Sequence, residues 1–264
     1  MRDLFNLDNQ VVIITGGNGQ IGREFSRILI EYGAKVVIFD LKINPDFLAK
    51  YDNLYYYNVD ITNRKQIEEA LVSVKAEVGI PTALINNAAI DFPPNSTGDV
   101  TGPFEKISEE TYDRIMEVNV KGIFMCCQVI GSEMARNEYG SIVNMCSIYG
   151  MLSPHPEIYD YKNVDGEEWN KPCLYSISKA AVLNLSKYLA VYWAKKKVRV
   201  NCLTPAGVFN HQDPRFLENY NRSIPIGRMA DVTELDGAII YLVSDASTYY
   251  TGNNLILDGG WTAW

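Results

Sequence analysis

A chain of 264 residues with 47% hydrophobic and 21% charged side chains can bury a full core, which excludes a disordered or fibrous protein. A formal charge of −8 without a basic stripe excludes nucleic acid as the expected partner. The opening residues lack the apolar segment of a signal peptide, the longest apolar runs are interrupted, and five cysteines show no C-x-x-C spacing; a cytoplasmic protein with no membrane partner is expected.

In chain order, Val11–Thr15 reads as a buried strand, followed by a glycine-rich turn and a helix over 20–32. Lys35–Asp40 is a second strand, and Leu54 to Asp60 a weaker third before a helix over 63–78. Thr82–Asn86 is the fourth strand, and residues 90–108 form a Pro- and Gly-bearing excursion. A helix over 109–136, a strand at Ser141–Met145 and an irregular stretch at 151–174 come next. The pattern closes with a helix over 177–196, a strand at Val198–Leu203, a helix over 233–243 and a last strand at Asn254–Leu257. Alternation of this kind predicts one α/β domain over residues 1–264, doubly wound, with about seven parallel strands and helices on both faces.

Two stretches carry chemistry. Thr15-Gly-Gly-Asn-Gly-Gln-Ile-Gly22 lies between strand and helix, where backbone N–H groups and a helix N-terminus can approach a pyrophosphate. Asp40 ends the next strand, and a carboxylate there suits a ribose diol and repels a 2′-phosphate, so NAD is expected over NADP, with Lys42 softening the preference. Tyr175 and Lys179 stand one helical turn apart, and an ammonium beside a phenol is expected to lower its pKa from about 10. Tyr192 and Lys196 repeat that spacing, so spacing alone does not choose between the pairs. No H-x-x-x-H or D-x-D cluster points to a metal.

These motifs, with Asp60-Ile61, Asn86-Asn87-Ala88-Ala89, Val118-Asn119-Val120, Ser147, Pro205-Ala-Gly207 and Asp258-Gly-Gly260, occur in an order that resembles the short-chain dehydrogenase/reductase family from Val11 to about Gly260. The resemblance implies a Rossmann-type fold and an NAD(P)-dependent oxidoreductase acting on a secondary alcohol or ketone. It assigns Tyr175 as general acid/base, Lys179 as its partner and a nicotinamide-ribose contact, Ser147 as the donor to the substrate oxygen, and Asn119 as the anchor of a water leading to Lys179. It places Gly16, Asn18, Gln20, Ile21, Asp40, Asp60, Ile61, Asn87, Ala88, Pro205, Gly207 and Val208, with Tyr175 and Lys179, around the cofactor. It also implies a homodimer or homotetramer, through helices 109–136 and 177–196.

The chain departs from the family pattern in two places. The loop carries glycine at position 19 and glutamine at 20, where the single-domain branch has glycine at 20; Ala89 stands where glycine is usual. The interval between Ser147 and Tyr175 is also long. Its insertion, tethered by two catalytic positions, is expected to shape the substrate pocket, with Tyr159, Tyr161 and Trp169 as stacking faces. Tyr149 and His155, with Ser147 and Tyr175, are the candidate substrate contacts. The insertion is similar to loops in members linked to bacterial flagellin or surface-glycan modification, which implies a sugar or sugar derivative as the small-molecule substrate. An epimerase or dehydratase that recycles its cofactor, and a non-catalytic NAD sensor, remain alternatives.

Overall fold

Within Val11–Thr15 (β1), Val11 and Ile13 point to one core while Val12 and Ile14 point to another. Successive side chains of a strand face opposite ways, so an all-apolar run needs cover on both sides. The other strands are Lys35–Asp40 (β2), Leu54–Asn58 (β3), Ala83–Asn86 (β4), Gly140–Met145 (β5), Val198–Pro205 (β6) and Asn254–Leu257 (β7). They form one sheet in the order β3-β2-β1-β4-β5-β6-β7, every pairing parallel. The computed structural model describes residues 3–91, 104–163 and 169–264; most of the 90–108 excursion and the middle of the insertion lie outside them.

One face of the sheet is covered by Arg64–Glu77 and Glu109–Arg136, with Cys173–Trp193 beside them. Ile67, Leu71, Ile123, Ile130, Val182 and Leu189 fill that layer. The other face is covered by Gln20–Glu31 and Asp236–Val243, through Phe25, Leu29, Ile239 and Leu242. In chain order we number the main helices α1 (Gln20–Glu31), α2 (Arg64–Glu77), α3 (Glu109–Arg136), α4 (Cys173–Trp193), α5 (Pro214–Arg222) and α6 (Asp236–Val243). Helix α3 is long and apolar enough to cross a membrane by length and composition; its packing in the core accounts for that apolarity. It contains two π-helical stretches, Glu117–Gly122 and Cys127–Gly131.

The order of strands reverses at β1, between β2 and β4. In such sheets a crevice opens at the carboxyl ends of the strands on either side of the reversal. The glycine loop after β1, Asn87 after β4, Ser147 after β5 and Pro205–Val208 at the end of β6 all fall at this edge.

The expected helices differ from the observed ones in two ways that matter for the site. The helix expected from 177 begins at Cys173, with Pro172 just outside it, so Tyr175 lies in its first turn. Helix α5 was not expected at all, although Asp213-Pro214 is a helix-start signal: the Asp213 carboxylate accepts from the Arg215 N–H. A 3-10 segment, Pro156–Lys162, also forms inside the insertion.

A third core sits above the sheet edge. Ile148, Tyr149, Ile158, Tyr159, Phe216, Tyr220, Met229 and Trp261 pack together there. Trp261 is buried in this lobe, its ring 4.7 Å from that of Tyr220. Trp264 remains exposed.

Candidate active site

The glycine loop is set by close approach. Gly16 has φ +64°, and a Cβ there would meet the Ala88 Cα at 2.8 Å. A Cβ on Gly22 would meet the Gly16 carbonyl oxygen at 2.5 Å. Gly19, the glycine that departs from the family pattern, has an ordinary φ of −68° and no contact nearer than 3.4 Å. Its position does not require glycine on packing grounds.

Helix α1 starts at this loop with no side-chain cap and no acidic residue in its first turn. Its N-terminus therefore suits an anion such as a pyrophosphate. Gln20, which replaces the usual glycine, donates from Nε2 to the Phe209 carbonyl at 2.6 Å and bridges the loop to the segment after β6.

Thr15 ties the loop to the end of β4. Its Oγ1 accepts from the backbone N–H groups of Asn87 and Ala88, both at 3.1 Å, while Asn87 Nδ2 donates to the carbonyls of Thr15 and Gly16. Asp40 accepts from the Asn18 N–H at 3.0 Å, so its carboxylate faces the loop; the Asn18 amide donates to the Lys42 carbonyl. Asp60 accepts from Thr62 N–H and Oγ1, and Ile61 is buried against Gly122.

On the other side of the reversal, Ser147 leaves β5 in extended backbone, with φ −155° and ψ 155°. Its Oγ accepts from the Tyr149 N–H, and it lines the same cavity as the Tyr175 hydroxyl, close enough to act on that phenol's pKa. Gly150 makes this possible: a Cβ there would lie 2.8 Å from the Cys146 Sγ and 2.9 Å from the Lys179 carbonyl carbon. Without a side chain, the turn after Ser147 rests directly on α4.

Lys179 is 2% exposed, and its Nζ donates to the Met145 carbonyl at 2.7 Å. That ammonium lies 5.5 Å from the centre of the Tyr175 ring. The lower Tyr175 pKa expected from this lysine is not found. Burial pushes the phenol above its ordinary value and Asp91 adds to the rise, while the nearby Ser147 hydroxyl opposes it. Burial also lowers the pKa of Lys179, whose ammonium is turned to a backbone carbonyl. The competing pair Tyr192 and Lys196 lies on the surface, where Lys196 faces Glu138 at 3.6 Å.

Asn119 sits in the first π-helical stretch of α3 and is fully buried. Its Oδ1 accepts from the Ile90 N–H at 2.7 Å, and its Nδ2 donates to the Ile90 carbonyl at 2.8 Å and to Ser178 Oγ at 3.1 Å. It clasps the strand-end turn after β4 to the helix that carries Tyr175.

A cavity of about 350 Å³ joins these groups. Gln20, Ile21, Asn87, Ser147, Tyr149, Tyr175, Lys179, Pro205, Gly207 and Val208 line it, as the sequence led us to expect. Gly16, Asn18, Asp40, Asp60, Ile61 and Ala88 do not, nor does Asn119. His155 also stays outside: it is exposed, because the chain turns outward ahead of Pro156 and the 3-10 segment. Of the three stacking candidates in the insertion only Tyr159 reaches the cavity; Trp169 packs on Tyr159 itself at 4.6 Å, and Tyr161 lies under Arg215.

Several lining residues had not been foreseen: Asp91, Asn210, Gln212, Phe216 and Tyr220. The Tyr220 hydroxyl accepts from the Gly207 N–H at 2.8 Å, so α5 fixes the end of β6. The Asp213-Pro214 helix start was the available signal for the two of these on α5, Phe216 and Tyr220.

A family model described as enoyl-(acyl carrier protein) reductase matches residues 17–262. An NAD-dependent glycerol dehydrogenase from Listeria innocua is 30% identical over 98% of this chain and 96% of its own. An NADP-dependent mannitol dehydrogenase from Hypocrea jecorina is 29% identical over 99% and 96%. The crystal structure of a short-chain dehydrogenase from Leptospira borgpetersenii serovar Hardjo-bovis with bound NAD+ superposes with a TM-score of 0.86, at 33% identity, covering 99% of this chain and 96% of that one. The chain belongs to the short-chain dehydrogenase/reductase family and has its Rossmann-type fold. It is an NAD(P)-dependent enzyme acting on alcohol groups.

Proposed function

We propose that this protein is an NAD-linked dehydrogenase that interconverts a secondary alcohol of a polyol or sugar derivative with its ketone. The observation that carries the reading is one cavity that Ser147, Tyr175 and Lys179 line together, between the glycine loop and an aromatic lobe. The loop fits a dinucleotide because three features agree: an uncapped helix start, the Gly16 cradle against Ala88, and Asp40 turned toward the loop. The Asp40 carboxylate favours a free ribose diol over a 2′-phosphate, and so NAD over NADP.

The nicotinamide, when bound, supplies the acceptor or donor of the hydride. Ser147 Oγ holds the substrate oxygen beside the phenol. In oxidation Tyr175 takes the hydroxyl proton as the carbon gives up its hydride; in reduction it returns that proton to the oxygen. Lys179, buried behind Tyr175, supplies positive charge that offsets the developing phenolate. Asn119 sets the position of the turn at Ile90 against α4.

Tyr188, Val191 and Tyr192 form an exposed apolar stripe along α4, with the two tyrosine rings stacked at 6.0 Å. A stripe of that kind suits a second copy of the chain, so we infer a homodimer or homotetramer. Its five cysteines are free thiols, which fits a reducing compartment such as the cytoplasm.

The test is absorbance of reduced nicotinamide with polyols and keto-sugars, using NAD and NADP in parallel. Turnover with NAD in excess of NADP is expected. Product formed with no net change in reduced nicotinamide would replace this reading with one in which the cofactor is recycled in place. No reaction with any alcohol or ketone would overturn both.

A further inference from the structure

Two charged side chains line the cavity beyond the catalytic set, Asp91 and Lys171. Asp91 directly follows Ile90, whose N–H and carbonyl are both held by Asn119, so its backbone is fixed against α3. Lys171 comes from the insertion, two residues before α4 begins. Its side chain is only 5% exposed, and its Nζ lies 2.8 Å and 3.0 Å from the two carboxylate oxygens of Asp91. The same ammonium lies 5.2 Å from the centre of the Tyr175 ring and 5.8 Å from that of Tyr149. The lysine is thus enclosed, while Asp91 keeps 41% of its side chain accessible.

Charge decides what this pair can recognise. The two ions neutralise each other, which leaves Lys179, turned to the Met145 carbonyl, as the other charged group on the described lining. No arginine is among the described lining residues, although a planar fork is the usual reader of carboxylates and phosphates. An anionic substituent entering here would meet the exposed carboxylate of Asp91. A neutral hydroxyl would instead find an oriented acceptor, with the ring faces of Tyr149, Tyr159 and Phe216 beside it for the carbon chain.

We infer that Asp91, held in place by Lys171, accepts a hydrogen bond from a second hydroxyl of an uncharged polyol or ketose while Ser147 and Tyr175 hold the reacting one. Asp91 is then a specificity residue and Lys171 a positioning residue. The inference rests on the alcohol-oxidation reading above and adds the substrate's charge class and the residue that reads it. The insertion contributes through one lysine that fixes an acceptor belonging to another segment.

The experiment measures KM and kcat on a neutral polyol for the wild type, Asp91→Ala, Asp91→Asn and Lys171→Met, with NAD affinity followed by quenching of tryptophan fluorescence. Loss of a hydrogen bond to a charged acceptor should raise KM by roughly 10- to 100-fold in Asp91→Ala. Turnover at saturation should stay within about threefold and NAD affinity should be unchanged, as expected when binding alone is lost. Asp91→Asn keeps an acceptor oxygen and should lose less; it also serves if the alanine variant does not fold. Lys171→Met should raise KM in the same direction, since Asp91 loses its anchor.

An unchanged KM, or a fall in kcat at constant KM, would overturn the assignment. So would a wild type that prefers an aldonate or a polyol phosphate over the neutral polyol and loses that preference in Lys171→Met. A wild type that binds NAD yet oxidises no alcohol would sink the alcohol-oxidation reading itself, and this inference with it.

Discussion

The two halves of the active-site crevice are built by different means. On the nucleotide side the shape is made by backbone. Gly16 and Gly22 let chain segments approach to distances that a single methyl would prevent, and the short side chains of Thr15 and Asn87 join the loop to the neighbouring strand end by bonding to main-chain groups. On the substrate side the shape is made by large side chains. Tyr149, Tyr159, Phe216 and Tyr220 arrive from three separate segments and pack on one another above the sheet. A ligand common to many proteins can be held by groups every residue possesses. A particular substrate needs side chains, and these can be exchanged without disturbing the sheet.

That contrast can be broken at its junction first. Tyr175→Phe removes the one acid/base group shared by both halves and should lower kcat by at least about a thousandfold, in line with loss of acid/base catalysis. Cofactor affinity should survive in a fluorescence titration; wild-type turnover would end the assignment of Tyr175.

Next in size is the backbone side. Gly16→Ala puts a methyl 2.8 Å from the Ala88 Cα at a positive φ. It should weaken NAD binding by about tenfold or more, given strain of roughly 1–3 kcal/mol, with little change in substrate KM once cofactor is saturating. Calorimetric titration of NAD would reveal it.

On the side-chain half, Tyr159→Ala empties a fully buried position that touches both Trp169 and Phe216. It should cost about 3–5 kcal/mol of stability, read by denaturant unfolding, and raise substrate KM while NAD affinity holds. Equal damage to both affinities would show that the halves are not separable.

A smaller effect tests a region remote from both. Glu133 is held down to a pKa of about 2 by hydrogen bonds from Lys75 and Arg136, and its side chain is 9% exposed. A depressed carboxylate stabilises the fold above its unfolded pKa of about 4.3 and loses that contribution as pH falls toward 2. Glu133→Gln should therefore lower stability by about 1–3 kcal/mol at pH 7 and by almost nothing at pH 2, with NAD and substrate constants unmoved.

The same contrast explains what the sequence disclosed. The strands and the glycine loop were readable because their signals are local: an apolar run has one solution in a parallel sheet, and glycine followed by a helix has few. Ser147, Tyr175 and Lys179 came from ordered motifs, and the cavity does bring them together. Asp91 was passed over because a single aspartate after a strand-end turn has no local signature; its importance comes from Lys171, eighty positions away. His155 was misplaced for the opposite reason, since its position within the insertion said nothing about which way the chain turns at Pro156. Spacing predicted the Tyr175–Lys179 proximity but not the direction of the tyrosine's pKa, which burial controls.

Gly150 has a consequence for how tolerance to mutation would be distributed along this chain. A saturation scan for activity should score it beside Tyr175, although it belongs to a turn that carries no chemistry. Any side chain there must push the Ser147 turn off the Lys179 carbonyl, and with it the hydroxyl pair out of register. What such a scan would record at that position is the absence of room, a requirement as strict as that for a phenol.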